Sequence, residues 1–336
     1  MQFSNSNKIK KIVLILVWYS LLLFIFGELL TRYLFIPQKP EIDYVLNDGF
    51  YTYPISDEFT YINEDKIKIK VITDKYGLRN SNLELINNVI LLGDSSIGAV
   101  NTENNKTLAS NLNAYNAGVD GFSSFQSIRL LYKLLEDSNP ETVILGFFLG
   151  NDFRDNYQDQ SNGLFKKKNS LNENYQNNIS IKGRLVNIVK KSHLITSFYR
   201  FFKKLNSSPS MESYAVSEIY SYLDIPNEEF NNAKKYTEKA FEQLSILSEE
   251  YGFKVIIVGI PSKAQVYKSF KEINHYENDA HARLIALSAI NKGFSFDTPD
   301  KLISKLSSKY SFEYVSLLDH FRINSSKKLY YYIDDH

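Results

Sequence analysis

The stretch Val89-Ile-Leu-Leu-Gly-Asp-Ser-Ser-Ile-Gly98 constrains the fold of this chain more than any other. Its apolar run ends abruptly in small polar residues, as a buried parallel strand does where it opens onto a turn. In open α/β sheets that end of the strand is where ligands and chemistry are placed. The pattern recurs. Ala114-Tyr-Asn116 leads into Asn116-Ala-Gly-Val-Asp-Gly121, and Thr142-Val-Ile-Leu-Gly-Phe-Phe148 runs into Leu149-Gly-Asn-Asp152. A short helix is predicted over residues 107–112. A longer one is predicted over 123–137, where Ile128, Leu131, Leu134 and Leu135 fall at helical spacing behind serines suited to an N-cap. Pro226 and Asn227 precede a long helix reaching about Glu250 and closed by Gly252. Lys254-Val-Ile-Ile-Val-Gly-Ile260 reads as a fourth strand and Tyr314-Val-Ser-Leu-Leu318 as a fifth. Parallel strands with right-handed crossovers gather the turns that follow them at one rim, so Ser95, Gly121 and Asn151 are expected near one another. Gly118 and Gly121, three apart, would permit positive φ and close approach of backbone to a ligand, or simply form a turn.

Residues 12–30 form an apolar segment whose only charge is Glu28. As a helix it would reach roughly 28 Å, about the hydrocarbon thickness of a bilayer. Lys8, Lys10 and Lys11 precede it and Arg32 follows, so the positive-inside bias puts the N-terminus in the cytoplasm and the rest outside. No small-x-small cleavage site follows, which favours an uncleaved anchor over a signal peptide. The expected organisation is a cytoplasmic tip and anchor over residues 1–36, a membrane-proximal segment over 37–86, and a catalytic-sized domain over 87–336 with an insertion at about 155–226.

Among the remaining segments, 37–74 is aromatic and turn-rich, with the alternating run Ile67-Lys-Ile-Lys-Val71, and reads as a hairpin or strand lying on the main domain. Asp74-Lys-Tyr-Gly-Leu-Arg79 reads as a turn. Residues 155–182, rich in Asn, Gln, Ser and Lys, read as a solvated, mobile loop. Residues 183–205 form a basic amphipathic segment, either a lid packed on the domain or a contact for anionic headgroups. Lys263 either faces the sheet edge or is solvated.

Formal net charge is +1 over 336 residues, and no basic stripe interleaved with aromatics lies near Gly93, so nucleic acid is not an expected partner. Cysteine is absent, which removes disulfides, thiolate metal sites and a cysteine nucleophile. The five histidines, His193, His275, His281, His320 and His336, lack the close spacing of a helical metal motif. No metal and no cofactor are expected.

A serine hydroxyl is a poor nucleophile until a base, usually histidine, is oriented beside it. Asp334-Asp-His336 supplies that base and a carboxylate. The oxyanion needs fixed donors, which the backbone N–H groups of Ser95 and Gly121 and the Asn151 amide could provide.

The chain resembles the SGNH (GDSL-like) hydrolases. Gly93-Asp94-Ser95 resembles the family's first block, 116–121 the second, Gly150-Asn151-Asp152 the third and Asp334-Asp-His336 the last, in the family's order. The resemblance implies a three-layer α/β/α sandwich with a mainly parallel, flavodoxin-like central sheet, and metal-free ester hydrolysis or acyl transfer. It implies Ser95 as nucleophile, His336 as base, Asp334 as its orienting carboxylate, and Ser95, Gly121 and Asn151 as the oxyanion hole. Leu149 stands where many relatives have glycine. One residue separates Asp334 from His336 and none separates Asp335, where many relatives have two. Relatives usually continue with a closing helix, so the chain is expected to be a fragment ending early at His336. With the anchor, an acylated cell-envelope or exported carbohydrate is the expected substrate. The rival readings are a catalytically silent envelope or carbohydrate-binding protein and a lipase-like esterase working at the membrane.

Overall fold

The computed structural model describes residues 3–34, 44–47, 49–62, 67–80, 88–161, 194, 214–224, 227–269, 293–327 and 329. It separates into two compact units, Met1–Gln38 with Ser170–Ser210 and Lys39–Asn169 with Met211–His336. In the first, helix α1 (Phe3–Leu34) carries a stretch Lys10–Thr31 with mean hydropathy 2.4. Its apolar side chains from Ile12 to Leu30 are exposed. It is apolar and long enough to cross a membrane, which suits a single-pass anchor or a signal sequence alike. Thr31 Oγ1 bonds back to the Gly27 carbonyl, a hydroxyl satisfied within the helix.

The second unit is built on a five-stranded parallel sheet: β5 (Val89–Gly93), β6 (Tyr115–Gly118), β7 (Thr142–Phe148), β8 (Lys254–Ile260) and β9 (Glu313–Ser316). The spatial order is β6-β5-β7-β8-β9, the 2-1-3-4-5 order of doubly wound flavodoxin-like sheets. Helices lie on both faces, so this is the fold class expected from the sequence. Alternation along each strand assigns the faces. Ile90, Leu92, Val143, Leu145, Phe147, Val255 and Ile257 point into the larger core, with α4 (Ser124–Leu134), α7 (Glu228–Tyr251) and α9 (Thr298–Lys309) over it. Between them in sequence, α6 (Tyr214–Tyr222) and α8 (Lys263–Tyr267) share a smaller core through Ile219, Tyr222 and Ala264. Leu91, Ile144, Phe148 and Ile260 face the other way, against α2 (Ser95–Gly98) and α3 (Leu108–Asn111).

Local chemistry accounts for the helix ends. Ser123 forms a capping box with Gln126 at the start of α4; Asn227 caps α7, and Gly252 closes it with φ 76°. β6 extends through Gly118, two residues beyond the predicted strand. The fifth strand stops at Ser316, and Leu318 opens α10 (Leu318–Ile323) instead.

One expectation is corrected. The segment predicted as a solvated loop from 155 begins as helix α5 (Asp152–Ser161). Its polar composition hides its period, but Phe153 and Asn156 are buried and Tyr157 packs on Tyr236 of α7, so tertiary contacts override the weak intrinsic preference. The remainder of that segment, and the basic segment 183–205 apart from Leu194, lie outside the described residues.

Two antiparallel hairpins precede the sheet: β1 (Val45–Asn47) with β2 (Phe50–Thr52), and β3 (Glu58–Ile62) with β4 (Lys68–Ile72). The alternating run expected to form a strand is β4, with Ile69 and Val71 buried and Lys68 and Lys70 exposed. Asp74 then organises its turn from within. Buried to 2% exposure, it accepts the N–H groups of Tyr76 and Leu78, an Asn80 amide proton and the Tyr115 hydroxyl. Asn80 completes the outer edge of β6: its amide oxygen accepts the Asn116 N–H and its amide nitrogen donates to the Asn116 carbonyl.

Candidate active site

Ser95 stands one residue beyond the end of β5 and is the first residue of α2, a helix of one turn. Asp94 is the N-cap. Its Oδ1 accepts the Ser96 N–H at 2.9 Å and the Ser96 hydroxyl at 2.5 Å, which fixes the backbone on both sides of Ser95. At the other end Arg79, only 3% exposed, donates to the carbonyls of Gly98, Ala99 and Thr102 and to the Asn104 side chain at 2.8 Å. The Gly98 carbonyl is among those that a short helix leaves without an intrahelical partner, and the other two belong to the turn that follows. Desolvation lowers the Arg79 pKa to about 10, and it remains protonated at neutral pH.

What lies under α2 is a row of glycines. Gly118, Gly93 and Gly146 are neighbours across β6, β5 and β7 in the sheet register. A Cβ on Gly118 would stand 2.4 Å from the Gly98 nitrogen, one on Gly93 2.4 Å from Ile97 Cγ1, and one on Gly146 2.6 Å from Ile97 Cδ1. Gly93 also adopts φ 154°, which side chains rarely permit. The close backbone approach allowed by Gly118 is thus to α2 and not to a ligand. Asn116 ties the helix down from the side, donating from Nδ2 to the Ile97 carbonyl and accepting the Gly118 N–H.

Gly121 has φ 74°, and nothing lies within 4 Å of where a Cβ would stand. It is an exposed, unobstructed residue in the turn after β6. The preceding Asp120 is held by two tyrosines: Tyr53 donates to Oδ1 at 2.8 Å and Tyr44 to Oδ2 at 2.6 Å. Val119 N–H reaches the Gly93 carbonyl at 3.1 Å, binding the second turn to the first.

Asn151 is half-buried in the turn after β7, and its backbone carbonyl accepts the Asp155 N–H. Its amide oxygen is buried and has no hydrogen-bond partner among the described residues. Asp152 is 2% exposed; its Oδ2 accepts the Phe148 N–H at 2.9 Å. Burial first, and then the charges of Asp94 and Asp155, push its pKa well above the ordinary carboxylate value. The Asp94 interaction shows that the first and third turns approach one another. Asn156 donates to Ser124 and Thr237, and Ser123 to Asp159, so the second and third turns are joined through α5. A pocket beside Gly150 is lined by Phe153, Tyr157, Tyr220, Ser221 and Phe230.

These turns stand where the chain, having gone from β5 to β6 on one side, crosses back to β7 on the other. That switch point, at the carboxyl ends of the strands, is the usual ligand crevice of such sheets. Ser95 comes from β5, Gly121 from β6 and Asn151 from β7. Asp334, Asp335 and His336 lie outside the described residues, as do His193, His275 and His281. His320 is exposed on α10. Lys263, a solvated residue on one sequence reading, is 8% exposed after β8. Arg79, Asp120 and the tyrosine pair were not read from the sequence as site residues. The sequence signal for Arg79 is weak: a charge following Tyr76, Gly77 and Leu78 in a turn that also holds Asp74 and Lys75.

No protein-family model matches the chain, and no curated protein matches it. Solved structures similar to it include a GDSL-like lipase from Bacteroides thetaiotaomicron, at 10% identity and TM-score 0.32 over 70% of each chain. An α/β hydrolase from the metagenome of Lake Arreo has 10% identity and TM-score 0.31 over 71% of this chain and 80% of its own. A variant of an acetyl-xylooligosaccharide esterase from Geobacillus has 9% identity and TM-score 0.29 over 71% and 80%.

Proposed function

We propose that this chain is a membrane-anchored serine esterase or O-acyltransferase of the SGNH type, with a cytoplasmic N-terminus and its larger unit in the periplasm or outside the cell. The observation that supports the reading best is the convergence on one switch point of three turns, bearing a serine on a clamped helix, an open glycine and an asparagine amide. Ser95 Oγ attacks the ester carbonyl while His336 takes its proton. His336 then gives that proton to the leaving alcohol oxygen as the C–O bond breaks, and Asp334 holds the imidazole in place. The N–H groups of Ser95 and Gly121 and the Asn151 amide receive the oxyanion. Water then releases the acyl group as the acid, or a sugar hydroxyl accepts it. An acylated carbohydrate of the cell envelope, or one in export, suits an enzyme held at the membrane by α1.

The test is covalent labelling of the full chain in detergent by a fluorophosphonate, together with hydrolysis of p-nitrophenyl acetate. Ser95→Ala is expected to abolish labelling and to lower hydrolysis at least 10³-fold, the order seen when a nucleophile is removed. Labelling that persists in Ser95→Ala would falsify the nucleophile assignment.

A further inference from the structure

We propose that Tyr53 and Tyr44 are positioning residues for the oxyanion loop, acting through Asp120; this rests on the reading that the Gly121 N–H receives the oxyanion. The Gly121 N–H belongs to the peptide between Asp120 and Gly121. Two torsions set its direction, ψ of Asp120 and φ of Gly121. Glycine rotates at little cost, and at this position no neighbouring atom would restrain it: φ is 74° and the space around it is open. The orientation of the donor is therefore held from the Asp120 side. There both carboxylate oxygens are engaged, Oδ1 by the Tyr53 hydroxyl at 2.8 Å and Oδ2 by the Tyr44 hydroxyl at 2.6 Å. Hydrogen bonds to a charged acceptor are the stronger kind.

The clamp is itself rigid. Tyr53 is fully buried, its ring stacks on Tyr44 with centroids 5.6 Å apart, and its N–H bonds to the Gly77 carbonyl. Gly77 has φ 69°, and a Cβ there would stand 2.3 Å from the Tyr53 carbonyl oxygen, so the two strands of chain meet where only glycine fits. The clamp also reaches the helix that carries Ser95. A Cβ on Gly98 would lie 3.0 Å from the Tyr53 hydroxyl and 3.2 Å from Asp120 Oδ1. Arg79, whose charge acts on both Tyr53 and Asp120, bonds to the Gly98 carbonyl. One cluster thus sets the height of α2 and the direction of the Gly121 N–H together. The hairpin segment before β5, whose role is not readable from its sequence, supplies both hydroxyls.

A donor that touches only the tetrahedral oxyanion changes kcat and leaves substrate affinity alone. The experiment compares the full chain with Tyr53→Phe, Tyr44→Phe, the double variant and Ser95→Ala. The readouts are kcat and KM on p-nitrophenyl acetate, affinity for an alkyl boronic acid as a tetrahedral mimic, and Tm. The expected result is a kcat about 10-fold lower for Tyr53→Phe and about 3-fold lower for Tyr44→Phe, with KM unchanged within 2-fold and boronate affinity falling in step with kcat. Tyr44 is 38% exposed, so Tyr44→Phe gives a folded variant even where Tyr53→Phe does not. Unchanged kcat in a folded Tyr44→Phe and a folded Tyr53→Phe, or a loss confined to KM or Tm, overturns the proposal while the esterase reading stands. Hydrolysis that survives Ser95→Ala, or a wild-type chain with none, overturns the esterase reading and this proposal with it.

Discussion

Asp152 and Asp155 stand one turn apart at the start of α5, where negative charge suits the helix end but burial opposes it. For Asp155, desolvation outweighs the pull of Arg154, whose guanidinium pairs with it at 2.5 Å, and the pKa rises from 3.8 to about 6. The folded protein therefore binds this proton more tightly than the unfolded chain does. Stability from the group is complete below about pH 4 and is lost as the pH rises through 6, by about 3 kcal/mol in all at 1.36 kcal/mol per unit. Asp155→Asn removes the titration. In urea titrations, its drop in unfolding free energy between pH 4 and pH 7 is expected to be smaller than the wild type's by about that amount; parallel profiles would contradict this. The two acids were visible in the sequence, as neighbours of Asn151. Their burial was not, since it follows from the packing of α5 on α7, which a polar-rich segment does not advertise.

At the scale of elements, the short helix α2 is seated by absences. Gly118→Ala would bring a Cβ to 2.4 Å from backbone nitrogen in Gly98, and backbone cannot swing aside as a side-chain tip can. The helix must lift, with an expected cost of about 1–3 kcal/mol and loss of fluorophosphonate labelling. Gly121→Ala meets no atom and bears only the strain of φ 74°, about 1 kcal/mol. Denaturation of both variants should give that order; the reverse order would refute the seat. The strands themselves were legible because parallel strands covered on both faces are continuous apolar runs: β7 and β8 begin and end where their sequences say. So were the turns that carry Ser95, Gly121 and Asn151. What strand and turn patterns cannot reveal is which remote side chains hold those turns. Arg79, Asn80 and the two tyrosines act across 19 to 76 residues of sequence, and only the packing of the hairpins makes them neighbours of the site.

At the scale of the molecule, the hairpins and the sheet belong to one unit. A protein begun at residue 39 keeps Tyr44, Tyr53, Asp74, Arg79 and Asn80 and is expected to remain soluble with native-like circular dichroism. One begun at residue 87 leaves the carbonyls of α2 and the outer groups of β6 unpartnered and is expected to aggregate. Comparable soluble yields of the two would show that the hairpins are dispensable. The amide of Asn80, meanwhile, makes the sheet unequal at its two rims. On the β6 side it occupies the Asn116 N–H and carbonyl that another strand would need, whereas β9, among the described residues, has a strand neighbour on one side only and exposes Val315 and Ser316. Of the two rims of this sheet, β9 is the more open to strand addition among the described residues, and a second molecule joined there by its own β9 would leave neither β9 edge free. Growth through that edge ends at a pair.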